Sequence, residues 1–165
     1  MRLIFIRHAT AVPRGTPDIP DDERPLTKRG ERRFRRAAAG LARIVRRPDV
    51  LLTSPLPRAH RTAVLAAKAW GKLEPVEIPA LAGGTFEDVA AALGRYPEDA
   101  TIALVGHEPQ LSELLARLVG SHQADRLVFK KGGAALVTVP ATLAEGGALL
   151  WYLPPRLLRQ LGRGY

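Results

Sequence analysis

Apolar residues recur along this chain in two rhythms. Short unbroken runs, Leu3-Ile4-Phe5-Ile6, Val50-Leu51-Leu52-Thr53 and Ile102-Ala103-Leu104-Val105, have the length and composition of strands buried on both faces. Between them the apolar positions fall at helical spacing. Phe34, Ala38, Leu41 and Val45 share one face of a segment over 28–46, and Thr27 stands where a cap belongs. The pattern predicts further helices over 57–70 and 108–119. In the second of these, Leu111, Leu114, Leu115, Leu118 and Val119 match the i, i+3, i+4, i+7, i+8 template. Pro57 and Pro109 fall at helix starts, where a missing N–H is tolerated. A short strand is expected over 75–78, a turn over 81–84, and a short helix capped by Thr85 through 93. After Gly133 the rhythm changes. Strand-like runs over 134–139 and 148–153 have no long helix between them and are expected to pair antiparallel. Pro154-Pro155 ends the last run, and 156–161 suits a short terminal helix.

Strands alternating with helices imply an α/β protein, a three-layer αβα sandwich. Its central sheet should be mostly parallel with an antiparallel C-terminal edge, in one domain over 1–165. A chain of 165 residues is long enough for a full core. Composition sharpens the picture: 46% hydrophobic but 5% aromatic residues predict a core of Leu, Ala and Val. There is no cysteine, which excludes disulfides, thiolate nucleophiles and cysteine-ligated metals. No apolar stretch reaches the length of a membrane span, and no signal-peptide pattern precedes the first strand. A cytoplasmic protein is the expectation, with no membrane among its partners.

The formal net charge of +9 favours anionic partners, and arginine supplies most of it. The cluster Arg32, Arg33, Arg35 and Arg36 on the 28–46 helix is the best nucleic-acid candidate. Its neighbouring aromatic, Phe34, faces the core, so a solvated helix face explains the cluster better. The polar stretch over 10–25, rich in Pro, Asp and Gly, is expected to form one wall of a site or to offset nearby arginines.

Candidate chemistry sits where the apolar runs stop. They run into Arg7-His8, into Ser54-Pro55-Leu56-Pro57-Arg58 and into Gly106-His107-Glu108-Pro109. C-terminal ends of parallel strands converge on one crevice, so Arg7, His8, Arg58 and His107 are expected to meet there around a phosphoryl group. A neutral imidazole can attack phosphorus, and guanidinium forks hold the equatorial oxygens. A second histidine can donate to a phosphate oxygen or shuttle a proton. The arrangement needs no cofactor. His8, His107 and Glu108 lack recognisable metal-ligand spacing, so no metal site is expected. Arg61 and Thr62 are candidates to support Arg58, His60 and His122 are expected at the surface, and Lys130 and Lys131 at the pocket mouth or in solvent.

These stretches carry a resemblance. Arg7-His8-Ala9-Thr10 after a strand resembles the Arg-His-Gly signature of the histidine phosphatase superfamily, the phosphoglycerate-mutase-like enzymes. Ser54-Pro55-Leu56-Pro57-Arg58-Ala59-His60-Arg61-Thr62-Ala63 resembles its second motif, and Val105-Gly106-His107-Glu108-Pro109 its late histidine motif. Arg24-Pro25-Leu26-Thr27-x-x-Gly30 is similar to its lead-in to the first helix. The motifs occur in family order over nearly the whole chain. The form Gly-His-Glu-Pro and the stretch Lys130-Lys131-Gly132-Gly133 resemble the SixA-type phosphohistidine phosphatases.

The resemblance implies a phosphoglycerate-mutase-like fold. It implies His8 as the phosphorylated nucleophile, with Arg7, Arg58 and His107 as catalytic and substrate-binding residues. The implied activity is metal-independent hydrolysis of phosphohistidine in proteins. Alternatives are a small-molecule phosphomonoesterase of the same fold and a non-catalytic binder of anions or nucleic acid. The partner is accordingly a phosphorylated protein or a small phosphorylated metabolite, and no pattern specifies an oligomeric state. Two departures stand out. Ala9 replaces the signature glycine, a mild change if the backbone there avoids positive φ. The region over 79–84 lacks the acidic proton donor of larger members, which favours a leaving group that departs easily.

Overall fold

In the computed structural model, which describes residues 1–71, 73–140 and 142–163, the three apolar runs lie side by side at the centre of one sheet. Lys72, Ala141, Gly164 and Tyr165, all within the expected domain, lie outside the described residues. The strands are β1 (Arg2–Arg7), β2 (Val50–Thr53), β3 (Pro75–Glu77), β4 (Thr101–Gly106), β5 (Ala134–Thr138) and β6 (Ala148–Leu153). Their spatial order is β3-β2-β4-β1-β5-β6. The first four run parallel, and β5 and β6 form the antiparallel edge. Register keeps the C-terminal ends of the central strands level: Arg7 lies opposite Gly106, and Thr53 opposite Val105.

The helices are α1 (Lys28–Ile44), α2 (Pro57–Ala69), α3 (Phe86–Leu93), α4 (Gln110–Leu118) and α5 (Pro155–Leu161). One core lies under α1, α2 and α5 and takes Ile4, Ile6, Leu51, Ala103 and Val105 from the sheet. The other lies under α3 and α4 and takes Leu3, Phe5, Leu52, Ile102 and Leu104. Alternate residues of each run thus enter opposite cores, which is why the runs are unbroken. Thr27 caps α1 by accepting from the Gly30 amide at 2.9 Å, and Thr85 and Asp88 form a capping box on α3. On α1, a Cβ at Gly40 would strike the Leu158 carbonyl, so glycine lets α5 settle directly on the α1 backbone.

Two predicted helix boundaries shift by two residues. α1 stops at Ile44 because Val45 is extended. α4 begins at Gln110, after Glu108 and Pro109. A residue before proline is driven away from the helical region, a constraint the apolar spacing does not register. The stretch over 10–25 is pinned rather than free. Ala11 bridges Leu26, and the buried Arg24 donates to the Val12 carbonyl at 2.8 Å and to Asp21 at 2.9 Å. Among the described residues no helix is long and apolar enough to cross a membrane.

Candidate active site

Arg7 ends β1 and His8 follows it at the rim of the sheet. The backbone there is held from both sides. The His8 amide donates to Gly106 of β4 at 3.0 Å, and the Gly132 amide donates to the Arg7 and His8 carbonyls at 3.1 Å each. Gly132 does so at φ +78°, a conformation that favours glycine and gives the Lys130-Lys131-Gly132-Gly133 stretch a physical reason. The His8 side chain is buried, 5% exposed, with Nδ1 2.7 Å from the Ala9 carbonyl. A carbonyl oxygen can only accept, so Nδ1 carries the proton and Nε2 carries the lone pair.

Ala9 is comfortable in its place. Among the described residues Asp18 is the only non-glycine with positive φ, so the departure from glycine introduces no backbone strain. The Ala9 amide donates to Thr62 Oγ1 at 3.0 Å, and that hydroxyl donates to the Arg58 carbonyl at 2.7 Å. Thr62 therefore ties the His8 segment to the turn of α2 that carries Arg58. The Arg58 side chain is buried and donates through Nη1 to the Asp21 carbonyl at 2.7 Å. Arg7 donates through Nη1 to the Phe129 carbonyl. Phe129 in turn donates its amide to Glu108 at 2.9 Å, so Glu108 holds the segment that orients Arg7. Among the described residues the Nε atoms of Arg7 and Arg58 are buried without an acceptor, a condition that costs about 1–3 kcal/mol per group.

His107 follows β4. Its ring centroid is 5.0 Å from that of His8, and its Nε2 is 2.8 Å from Ser54 Oγ. Burial, then the positive charge of His107, Arg58 and Arg7, pushes His8 down to about 3 against the lift of its bond to Ala9. Burial, then Arg58, Arg7 and Arg24, pushes His107 down to about 4. Both imidazoles are therefore neutral near pH 7.

That pair sets a dependence of stability on pH. Between about pH 6.5 and about pH 4 the unfolded histidines bind protons that the folded ones refuse. The unfolded state then holds more protons, so stability present above pH 6.5 drains away as pH falls. Calorimetry should show Tm falling over that window, and a His8→Asn/His107→Asn double variant should fall less steeply. Equal slopes would contradict the assignment.

Arg7, His8, Arg58 and His107 thus surround one cavity of about 320 Å3, as their strand ends predict. Pro13, Arg14 and Arg24 bring the 10–25 stretch in as a wall, and Lys131 stands at the rim. Arg24 and Ser54 were not expected at the site. Both belong to the quoted motifs, the one signal in the chain that could have pointed to them. Arg61 does not reach the cavity: it pairs with Glu31 of α1 at 2.6 and 2.9 Å. His60 is half-buried beside Glu77, and His122 is exposed.

Glu108 is the one carboxylate lining the cavity among the described residues, and it is occupied by the Phe129 amide and by Ser112 Oγ at 2.6 Å. Asp21 does not line the cavity but pairs with Arg14 and Arg24, which do; desolvation lifts its carboxyl, but Arg24, Arg14 and Arg58 outweigh this and hold it below its usual range. The Pro79–Ala82 turn carries no carboxylate, Glu87 pairs with Arg117 at 2.7 Å, and Asp88 caps α3. Among the described residues no three His, Asp or Glu side chains cluster as a metal ion requires. The arrangement can hold an oxyanion against two guanidiniums and present an unprotonated ring nitrogen to it.

Residues 3–91 match the sequence model of the histidine phosphatase superfamily (branch 1). An uncharacterized protein of Picosynechococcus sp. (strain ATCC 27264 / PCC 7002 / PR-6) is 36% identical over 137 residues, covering 81% of this chain and 82% of that one. Among solved structures, the protein histidine phosphatase SixA complexed with tungstate superposes with a TM-score of 0.80 at 25% identity, covering 96% of this chain and 99% of that one. The alpha-ribazole phosphatase of Shigella flexneri shares the fold, with a TM-score of 0.74 at 20% identity over 94% of this chain and 97% of that one.

Proposed function

Because this chain belongs to the histidine phosphatase superfamily, we propose that it is a metal-independent phosphatase that uses His8 as its nucleophile and phosphohistidine residues of proteins as its substrates. The observation that carries the nucleophile is the bond from Nδ1 to the Ala9 carbonyl, which leaves the Nε2 lone pair in a cavity lined by two guanidiniums. Arg7 and Arg58 take the equatorial oxygens of the phosphoryl group, and the His107 ring, fixed by Ser54, adds a polar contact. His8 Nε2 attacks phosphorus. The P–Nε2 bond forms as the bond from phosphorus to the substrate nitrogen breaks, and the departing imidazole leaves with a proton from solvent. Water then attacks phosphorus, the P–Nε2 bond breaks, its electron pair returns to His8, and inorganic phosphate departs.

The substrate class rests on the missing acid. Glu108 is occupied by two donors, and Asp21 is held ionised by its arginines. Neither can protonate an alkoxide. A phosphoramidate whose imidazole leaves readily needs no such help. The resemblance to a protein histidine phosphatase supports the same class.

The test compares turnover of a phosphohistidine-bearing protein, p-nitrophenyl phosphate and sugar phosphates, with and without EDTA, and traps the intermediate by alkaline quench and mass spectrometry. The phosphohistidine protein should give the highest kcat/KM, EDTA should change nothing, and the trapped phosphoryl should sit on the peptide containing His8. A higher kcat/KM on a sugar phosphate would overturn the substrate class. A phosphoryl on another residue would overturn the nucleophile.

A further inference from the structure

Beside the phosphoryl cavity lies a larger groove of about 780 Å3, and the two share Arg7 and Lys131. One wall is a face of α1, with Arg33, Phe34 and Ala37; the other is the start of α5, with Arg156 and Arg159. The segment over 128–132 joins them at the end nearest His8. Among the described residues no carboxylate lines the groove. Among the described residues Arg33, Lys130, Lys131, Arg156 and Arg159 make no ion pair, although the chain pairs other arginines with Asp21, Glu31 and Glu87. Burial, then Arg33, Arg163 and Arg156, lowers the Arg159 guanidinium, the mark of cations crowded without counter-charge.

The floor is apolar but not a stacking platform. Phe34 is 3% exposed and Phe129 1%, so neither ring offers a face to a nucleobase. Val128, 49% exposed, and the half-buried Pro154 and Pro155 form an aliphatic ledge instead. An aliphatic ledge ringed by long, flexible cations fits an apolar side chain flanked by carboxylates.

We infer that this groove binds an acidic segment of the phosphoprotein substrate, flanking the phosphorylated residue and carrying an aliphatic anchor. The inference rests on the proposed protein substrate and adds what selects it. Opposite charges at a solvated rim give modest affinity and a marked dependence on salt.

The test uses two synthetic phosphohistidine peptides, one flanked by glutamates and a leucine, the other by serines. The wild-type chain should prefer the acidic peptide by about tenfold in kcat/KM, through KM, with the preference shrinking as salt is raised. An Arg33→Glu/Arg156→Glu/Arg159→Glu variant should lose the preference and keep its kcat on p-nitrophenyl phosphate. Equal kcat/KM for the two peptides in the wild type, or a preference that survives charge reversal, would overturn the groove. The salt and peptide comparisons need no variant, so a poorly folded variant does not shelter the idea. If only p-nitrophenyl phosphate is hydrolysed, the protein-substrate reading fails. Fluorescence anisotropy with the unphosphorylated acidic peptide then decides the groove: salt-sensitive binding supports it, and none overturns it. A DNA duplex that binds and displaces the peptide would assign the groove to nucleic acid and overturn the inference.

Discussion

Replacing His8 by alanine should reduce kcat on every phosphorylated substrate by at least about 10^4-fold, because in the proposed mechanism it removes the atom that bonds to phosphorus. The fold should survive. The His8 side chain makes one hydrogen bond, to its neighbour's carbonyl, and the backbone is held independently by Gly106 and Gly132. Arg7 and Arg58 remain in place, so inorganic phosphate should still bind in a calorimetric titration. That combination, a binding site without turnover, separates loss of the nucleophile from loss of structure. Hydrolysis retained in pure His8→Ala protein would remove His8 from its role. Phosphate binding lost along with turnover would mean that the imidazole organises the pocket rather than attacking.

The second large effect belongs to Arg58→Ala, for which kcat/KM should fall by about 10^3-fold. Arg58 is a buried cation lining the cavity in which the proposed mechanism develops charge, and its loss also frees the Asp21 carbonyl that it holds at 2.7 Å. The variant should therefore become more sensitive to limited proteolysis within 10–25 while the core holds. Arg58→Lys should recover part of the activity, because an ammonium restores the charge but not the planar fork. A loss below about tenfold in Arg58→Ala would show that Arg7 and His107 suffice for the phosphoryl oxygens.

Much of this site is visible in the chain because the strand ends are. An unbroken apolar run followed at once by Arg7-His8 or Gly106-His107 states both that a strand is buried and where it stops. Parallel strands in level register can only deliver such residues to one edge. Helix spacing was equally legible over α1, where the apolar stripe is strong. It misplaced the start of α4, where backbone preference before Pro109 outweighs side-chain pattern. The acidic members of the 10–25 stretch were readable only as charge. The structure makes Asp21 a specific partner of Arg14 at 3.0 Å and of Arg24 at 2.9 Å.

The sequence by itself determined the sheet, its layers and the identity of the groups gathered at its rim. Burial on two faces and helical periodicity are local patterns written over a few consecutive residues. Only the tertiary structure decided which nitrogen of His8 carries its proton, that Ser54 fixes His107, and that a groove lined by Arg33, Arg156 and Arg159 opens beside Arg7. Arg7 finds the Phe129 carbonyl 122 residues away, and Arg58 the Asp21 carbonyl 37 residues away. Such bonds obey distance and direction in space, and no spacing along the chain encodes them.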